Sequence, residues 1–248
     1  MEFIASGGQA DIYRIHNDYM AVKLFRQGVQ KEIVEYEMNL QKKAYELGLP
    51  VPEIYNLVEI DGKHGIVMEY IDGVTIGKII CESKKTTYQY LIKAIELQIH
   101  LNNIITSKFP SMAEKLIENI SKAALLDIDL KQNLLEKINK IKFNQYLCHG
   151  DFHVYNLIET AKGKIVIVDW IDSKTGNSEF DVCRSYILYK ESSDEIAKMY
   201  IENYCKMTNI LREDILVYAP IVAAARLGEN IQDRHKIDVL MKLIKEGK

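Results

Sequence analysis

The chain of 248 residues predicts an α+β protein of two lobes: a small antiparallel sheet carrying one helix over 1–71, and a larger, mainly helical part over 72–248. Three observations predict it. Short alternating β-type runs separated by turns fill most of the first third. One stretch of helical spacing, 29–47, interrupts them. After "DGV" the pattern turns helical and is broken only briefly from there on.

"DIYRI" and "MAVKLF" flank "HNDY", a hairpin signal with its polar residues at the bend. Over 29–47, Ile33, Tyr36, Leu40, Ala44 and Leu47 fall on one helical face, with Gly48 as a stop and Pro50 and Pro52 beyond it. "EIYNLVEI" and "HGIVMEYI" flank Asp61-Gly62, among the stronger local hairpin signals. Helices are predicted over 88–105, 111–126 and 130–141. Ser111 followed by Glu114 offers a capping box, and Phe109 and Pro110 end the helix before it. A short strand is predicted at 164–168, and helical periodicity returns from Phe180 onward in about four segments. The boundary between the lobes falls at 71–74.

The net charge of −3 is spread along the chain, with no Lys/Arg block to neutralise a run of phosphates, so no nucleic-acid partner is expected. The four cysteines have no zinc-like spacing and read as reduced thiols. No run approaches the roughly 18 apolar residues of a membrane span, and "MEFIASGGQADIY" lacks a basic leader. A cytoplasmic location with no membrane partner is expected.

The chemistry concentrates in "LCHGDFHVYNL" and "IVIVDW". Asp151 and Asn156 stand five residues apart, and Asp169 closes an apolar strand. Phosphoryl transfer needs a carboxylate to orient the attacking hydroxyl and oxygen ligands to hold magnesium against phosphates. Asp151, Asn156 and Asp169 supply that set in the order and spacing of the protein-kinase signature. Such a site also needs a strand lysine for the phosphates and a helix glutamate to hold it. "AVKLF" offers Lys23 and the next helix offers Glu37, with Glu35 as a competitor. "VMEYI" ends at the lobe boundary, where kinase-like enzymes present backbone groups to adenine. This marks Met68, Glu69 and Ile71, with Met68 at the back of the pocket. Gly7 and Gly8 in "SGGQAD" offer backbone amides to phosphates, although the GxGxxG form is absent.

With "SGGQADIY", "AVKLF", the Glu37 helix, "VMEYIDG", "LQIHL", "CHGDFHVYN", "IVDW" and "EFDVCR", the chain resembles the aminoglycoside phosphotransferase and choline kinase superfamily. These are small-molecule kinases of the bilobal protein-kinase-like fold, and the resemblance runs from Ser6 to about Gly228. "HGD" in place of "HRD" points to the small-molecule branch. The resemblance implies that Asp151 is the catalytic base and that Asn156 and Asp169 hold Mg2+. It also implies that Lys23 contacts the α/β-phosphates, that Glu37, by its interval before "GLPVP", rather than Glu35 holds that lysine, and that His149 and Asp181 brace the catalytic loop. The implied donor is ATP or GTP. The implied acceptor is a hydroxyl of a small polar molecule such as an aminoglycoside, a choline-like alcohol or an amino sugar. Val154 and Tyr155 depart from the Pro and small or polar residue common in relatives, and Trp170 and Ile171 replace the Phe-Gly of protein kinases.

Other readings compete. Eleven residues separate Asp169 from Asp181, too few for a long activation segment, which disfavours an atypical protein kinase. A nucleotide-binding module without turnover is disfavoured because no base or metal position is lost. A zinc pair of His149 and His153 would need a helix, which Gly150 opposes, and further ligands. No GxSxG nucleophile elbow is present for a hydrolase. His100 reads as a packed core histidine. Asp172, Glu179, Glu229 and Asp233 would attract a cationic substrate, or, among 35 acids, form a solvated face.

Overall fold

The computed structural model describes residues 1–15, 19–229 and 231–246. The expected bend at His16, Asn17 and Asp18 therefore lies outside the described residues. The strands are β1 (Glu2–Ser6), β2 (Ala10–Arg14), β3 (Met20–Phe25), β4 (Ile54–Ile60), β5 (Lys63–Glu69), β6 (Gly73–Thr75), β7 (Tyr146–Cys148), β8 (Leu157–Thr160), β9 (Ile165–Ile167) and β10 (Lys174–Gly176). The helices are α1 (Lys31–Glu46), α2 (Ile76–Glu82), α3 (Thr87–Asn102), α4 (Met112–Lys122), α5 (Ile128–Asn139), α6 (Ser178–Lys190), α7 (Asp194–Thr208), α8 (Arg212–Leu216), α9 (Ala219–Leu227) and α10 (Arg234–Glu246). They form two compact units, one of residues 1–82 with 154–171 and the other of 83–153 with 172–248.

In the first unit an antiparallel sheet runs in the order β1-β2-β3-β5-β4. Asp61 and Gly62 both adopt positive φ (51° and 72°), the backbone that a tight Asp-Gly hairpin turn demands. Ala10, Phe25, Val34 and Ile66 form the core between this sheet and α1. The buried face of α1 is Val34, Glu37, Leu40, Gln41 and Ala44. That corrects the expected face by about one residue: Ile33 and Tyr36 are exposed, because two polar side chains, Glu37 and Gln41, point inward. Gln41 spends its amide on the Pro52 carbonyl at 2.8 Å. A second sheet, β6-β8-β9, contains the expected 164–168 strand and a β6 and β8 that periodicity alone did not mark.

The second unit is mainly helical, with β7 and β10 paired antiparallel. Among the described residues five helices, α6 to α10, occupy the C-terminal stretch where about four were expected; α8 is a short extra piece of five residues. Ser111 is the N-cap of α4, yet its side chain makes no capping bond, so the capping box does not form. Side-chain caps do form elsewhere, as at α5, where Asp127 accepts from Leu130 N–H, and at α7, where Ser193 accepts from Ile196 N–H. Helix α6 is buried almost all round, including Asp181 and Arg184. At the end of α9, a Cβ on Gly228 would fall 1.9 Å from the Asn119 carbonyl oxygen. Only glycine lets α9 cross α4 this closely, and the crossing sets Glu229 beside Asn119. All four cysteines are free thiols, with Cys148 and Cys183 buried. Among the described residues no helix is long and apolar enough to cross a membrane.

Candidate active site

In the first unit, β3 and α1 bring Lys23 onto Glu37 in a direct ion pair, while the same ammonium lies 3.2 Å from Asp169. Burial pushes the Lys23 ammonium down, but the Asp169 and Glu37 carboxylates outweigh it and hold it above its ordinary range. Glu35, the competing acid, instead pairs with Lys31 at 3.1 Å on the exposed side of the helix. The β8–β9 register sets Leu157 opposite Ile167, so Asn156 faces Val168, whose N–H donates to the Asn156 carbonyl at 3.0 Å. Asp169 is the next residue. Its φ of 66° turns the chain off the strand end, a conformation that Asp tolerates better than most residues. Sheet pairing thus places Asn156 and Asp169 at the same end of the β8–β9 pair.

Gly7 sits in the β1–β2 turn, donating its N–H to Ala10 and accepting from Arg26 through its carbonyl. A Cβ at Gly8 would meet nothing within 4 Å, so packing by the chain does not demand glycine there. Met68 pairs with Ala21 in β5, and its sulfur lies 3.9 Å from the Gln41 amide behind it. Glu69 pairs through its backbone with Glu53, and Ile71 follows in the segment between β5 and β6.

The second unit holds His149, Asp151 and Asp181. Gly150 takes φ 80° and donates its N–H to Asp181 Oδ1 at 2.8 Å. Asp181 Oδ2 accepts from Gln98 and Asn102, both at 3.1 Å, and Gln98 accepts from Tyr200 O–H at 2.5 Å. A fully buried carboxylate with three such donors anchors the loop to α3 and α6. His149 is buried and accepts the Asp151 N–H at Nδ1 (3.3 Å), while its ring meets Phe152 edge-on. No helix carries His149 and His153, as the zinc reading would have required.

Asp151 Oδ2 lies 3.3 Å from His153 Nε2, and Oδ1 lies 3.7 Å from Arg184 Nη2. Burial pushes its carboxyl up, but the His153 hydrogen bond and charge, with Arg184 and His149, hold it well below the usual carboxylate range. Gly150 cannot be replaced freely: a Cβ would stand 2.2 Å from the Asp172 carbonyl oxygen, on a backbone that L side chains avoid. Gly150→Ala is expected to lose at least ~1–3 kcal/mol of stability. Urea unfolding reads this directly, and an unchanged midpoint would show that the close approach is not real.

Beside this loop, within the second unit, lies a cleft whose walls include Met112, Leu116 and Val222 as well as Lys115, Lys174 and Arg184. Arg184 closes a bidentate pair with Glu229 (2.6 and 2.9 Å), and Arg226 binds the same carboxylate at 2.5 Å. Of the acids considered for a cationic substrate, Glu229 is therefore bound by two guanidinium groups. Asp233 caps the start of α10 by accepting the Lys236 N–H at 3.1 Å. Asp172 lines the cleft, and Glu179 accepts from the Ser178 hydroxyl at 3.4 Å. Sequence reading assigned no role to Arg184, although it stands in "EFDVCR". Its partner lies 45 residues away, so nothing local announces it.

A strand lysine held by a helix glutamate beside a strand-end aspartate, with a braced HGD loop in a helical unit, defines the protein-kinase-like fold of small-molecule kinases. The chain belongs to the phosphotransferase enzyme family, whose profile matches residues 1–216. It is accordingly a phosphotransferase. Among solved structures, it is similar to the choline kinase LicA from Streptococcus pneumoniae, with 15% identity and a TM-score of 0.66, over 99% of this chain and 92% of that one. It is also similar to a thermostable mutant of the aminoglycoside phosphotransferase APH(4)-Ia, in a ternary complex with ADP and hygromycin B. That match has 11% identity and a TM-score of 0.72, over 99% and 93% of the two chains. A third is an aminoglycoside-3'-phosphotransferase of type VIII, with 15% identity, a TM-score of 0.64 and 92% of each chain covered. No curated protein matches the chain by sequence.

Proposed function

We propose that this enzyme transfers the γ-phosphoryl group of ATP or GTP to a hydroxyl of a small polar molecule, with Mg2+ and with Asp151 as the catalytic base. The carrying observation is the Lys23 ammonium shared between Glu37 and Asp169. That arrangement keeps a positive charge fixed where α/β-phosphates need one. The likeness to kinases bound to ADP and AMP supports a nucleotide donor, and the N-terminal lobe over 1–71 would bind it. The backbone of Gly7 and Gly8 would cover the phosphates. Met68, Glu69 and Ile71 would line the adenine or guanine side, largely through backbone groups.

Asn156 and Asp169, oxygen donors set at the same end of the β8–β9 pair, are a hard-ligand pair that fits magnesium. Among the described residues no group of three or more His, Cys, Asp or Glu side chains could hold a metal ion alone. That suits an ion which takes one or two protein ligands and completes its shell from phosphates and water. When bound, it would neutralise charge on the phosphates. Asp151, kept ionised, orients the acceptor hydroxyl and takes its proton as the new O–P bond forms and the bond from the γ-phosphorus to the departing nucleoside diphosphate breaks; His149 and Asp181 hold the loop that carries it. Positioning and charge then supply most of the rate. A cytoplasmic location is consistent with this donor.

The test has two arms. Nucleotide with magnesium is expected to raise the melting temperature, and Asp169→Asn to abolish the magnesium-dependent part, since only a native-state ligand stabilises in this way. A coupled nucleotide-consumption screen over aminoglycosides, choline-like alcohols, sugars, hydroxy acids and nucleosides then looks for turnover. A wild type no faster than Asp151→Asn on the whole panel would overturn the catalytic reading.

A further inference from the structure

The acceptor's charge can be read from the cleft beside the Asp151 loop. Its lining acids are Asp172, Asp181 and Glu229, and its lining bases are Lys115, Lys174 and Arg184. Two of the acids are already committed. Asp181 accepts from Gly150, Gln98 and Asn102. Glu229 takes both Arg184 contacts, one from Arg226 and one from Asn119 at 3.4 Å. Since Arg184 and Arg226 meet a single Glu229 carboxylate, that corner offers no spare negative charge to a ligand. What remains lining the cleft is Asp172 against the Lys115 and Lys174 ammonium groups; Glu118, the other acid acting on both lysines, is no part of the lining and is paired with Lys122.

Lys174 is only 6% exposed, and its ammonium donates to the Ser173 carbonyl at 3.0 Å. It starts β10, paired with Cys148 two residues before Gly150, so the pairing that positions the loop also positions this lysine. Lys115 comes from α4, one residue before the apolar wall residue Leu116. Burial draws the Lys174 ammonium down to about 8, and burial pushes the Asp172 carboxyl up, both marks of a site poorer in water than the surface. The cleft wall also holds an unspent donor, since Arg184 Nε is buried with no hydrogen-bond partner among the described residues. A lysine in such surroundings gains from an anionic ligand placed beside it.

Building on the kinase reading, we propose that the acceptor carries an anionic group, a carboxylate or a phosphate, beside its hydroxyl, and that Lys115 and Lys174 receive it. The apolar wall of Met112, Leu116 and Val222 then packs the carbon skeleton, with the hydroxyl directed to Asp151. This reverses the charge that the acids Asp172 and Glu229 imply when they are read from sequence alone.

The probes are glycerol 3-phosphate and glycerate, set against choline and glycerol, each titrated calorimetrically into the full-length enzyme with ADP and magnesium present. ADP keeps the phosphate-binding backbone occupied, so anion binding there does not register. One anion or both are expected to bind, the stronger of the two identifying phosphate or carboxylate, with choline and glycerol weaker. Lys174→Met and Lys115→Met should each weaken anion binding by ~10- to 100-fold, the worth of one charge-assisted hydrogen bond. Lys115 lies on a partly exposed helix face, so its variant keeps the test open if Lys174→Met fails to fold. The inference is overturned if neither anion binds, if choline binds better than both, or if both variants bind the anions as wild type does. Turnover of any alcohol in the coupled screen would still stand under those results, so the kinase reading and this inference fail separately.

Discussion

Asp151→Asn is expected to lower kcat by ~10²–10⁴-fold, the usual worth of a positioned general base, while nucleotide still raises the melting temperature. The substitution keeps size and hydrogen-bonding shape but removes the charge that His153 and Arg184 face across 3.3 and 3.7 Å. The pH dependence follows from the same contacts. Burial alone would raise the Asp151 carboxyl, yet His153, Arg184 and His149 hold it below its ordinary value. Stability from these contacts is therefore present above the ordinary aspartate pKa and lost as pH falls through the lower folded value. Between neutral and mildly acidic pH, Asp151 stays ionised, so any loss of rate there comes from another group. A depressed carboxylate is a weak base, which suits a loose transition state where the hydroxyl is oriented first and deprotonated late. Coupled nucleotide consumption at saturating acceptor checks the claim, and a variant within a few-fold of wild type would sink it.

What could be read in the sequence was local. Asp61-Gly62 announces its hairpin because two positive φ angles in a row leave few residue choices. Lys23 reads correctly as a strand residue, and Asp151, Asn156 and Asp169 are close enough in the chain for order and spacing to single them out. The face of α1 was misplaced because hydrophobic periodicity cannot foresee a buried Glu37, which faces inward only because Lys23 awaits it. Strands β6, β7 and β10 are three residues each, too short for alternation to register. Lys174 looks like any surface lysine until β10 is paired with β7. The charge of the cleft was hidden for a similar reason: Glu229 reads as a free acid until Arg184 and Arg226, on two different helices, are folded against it.

That buried charge chain sets the largest effect expected on stability. From Asp151 it passes to Arg184, then to Glu229 and Arg226. From Arg226 it reaches Glu191, which accepts at 3.0 and 3.2 Å and has Lys236 at 3.6 Å. Glu229→Gln leaves two guanidinium groups facing each other with their shared carboxylate gone, and is expected to cost about 3–5 kcal/mol. Arg184→Met should cost less, because Glu229 retains Arg226 and the unpaired Arg184 Nε disappears with the side chain. Burial pushes Glu229 up, but Arg184 and Arg226 hold its carboxyl below the ordinary range. The difference between wild type and Glu229→Gln should therefore persist above the ordinary glutamate pKa and shrink as pH falls through the lower folded value. Urea unfolding of the three proteins at pH 7 and in mild acid decides it, and equal midpoints for Glu229→Gln and Arg184→Met would show that the carboxylate is not the hinge of the chain. Arg184 also sits beside Asp151, so Arg184→Met carries a second signature. Losing that neighbouring positive charge lifts the Asp151 carboxyl, which NMR of the aspartate carboxyl carbons reads as an upward shift of its titration. A merely structural arginine would lower stability and leave that titration in place.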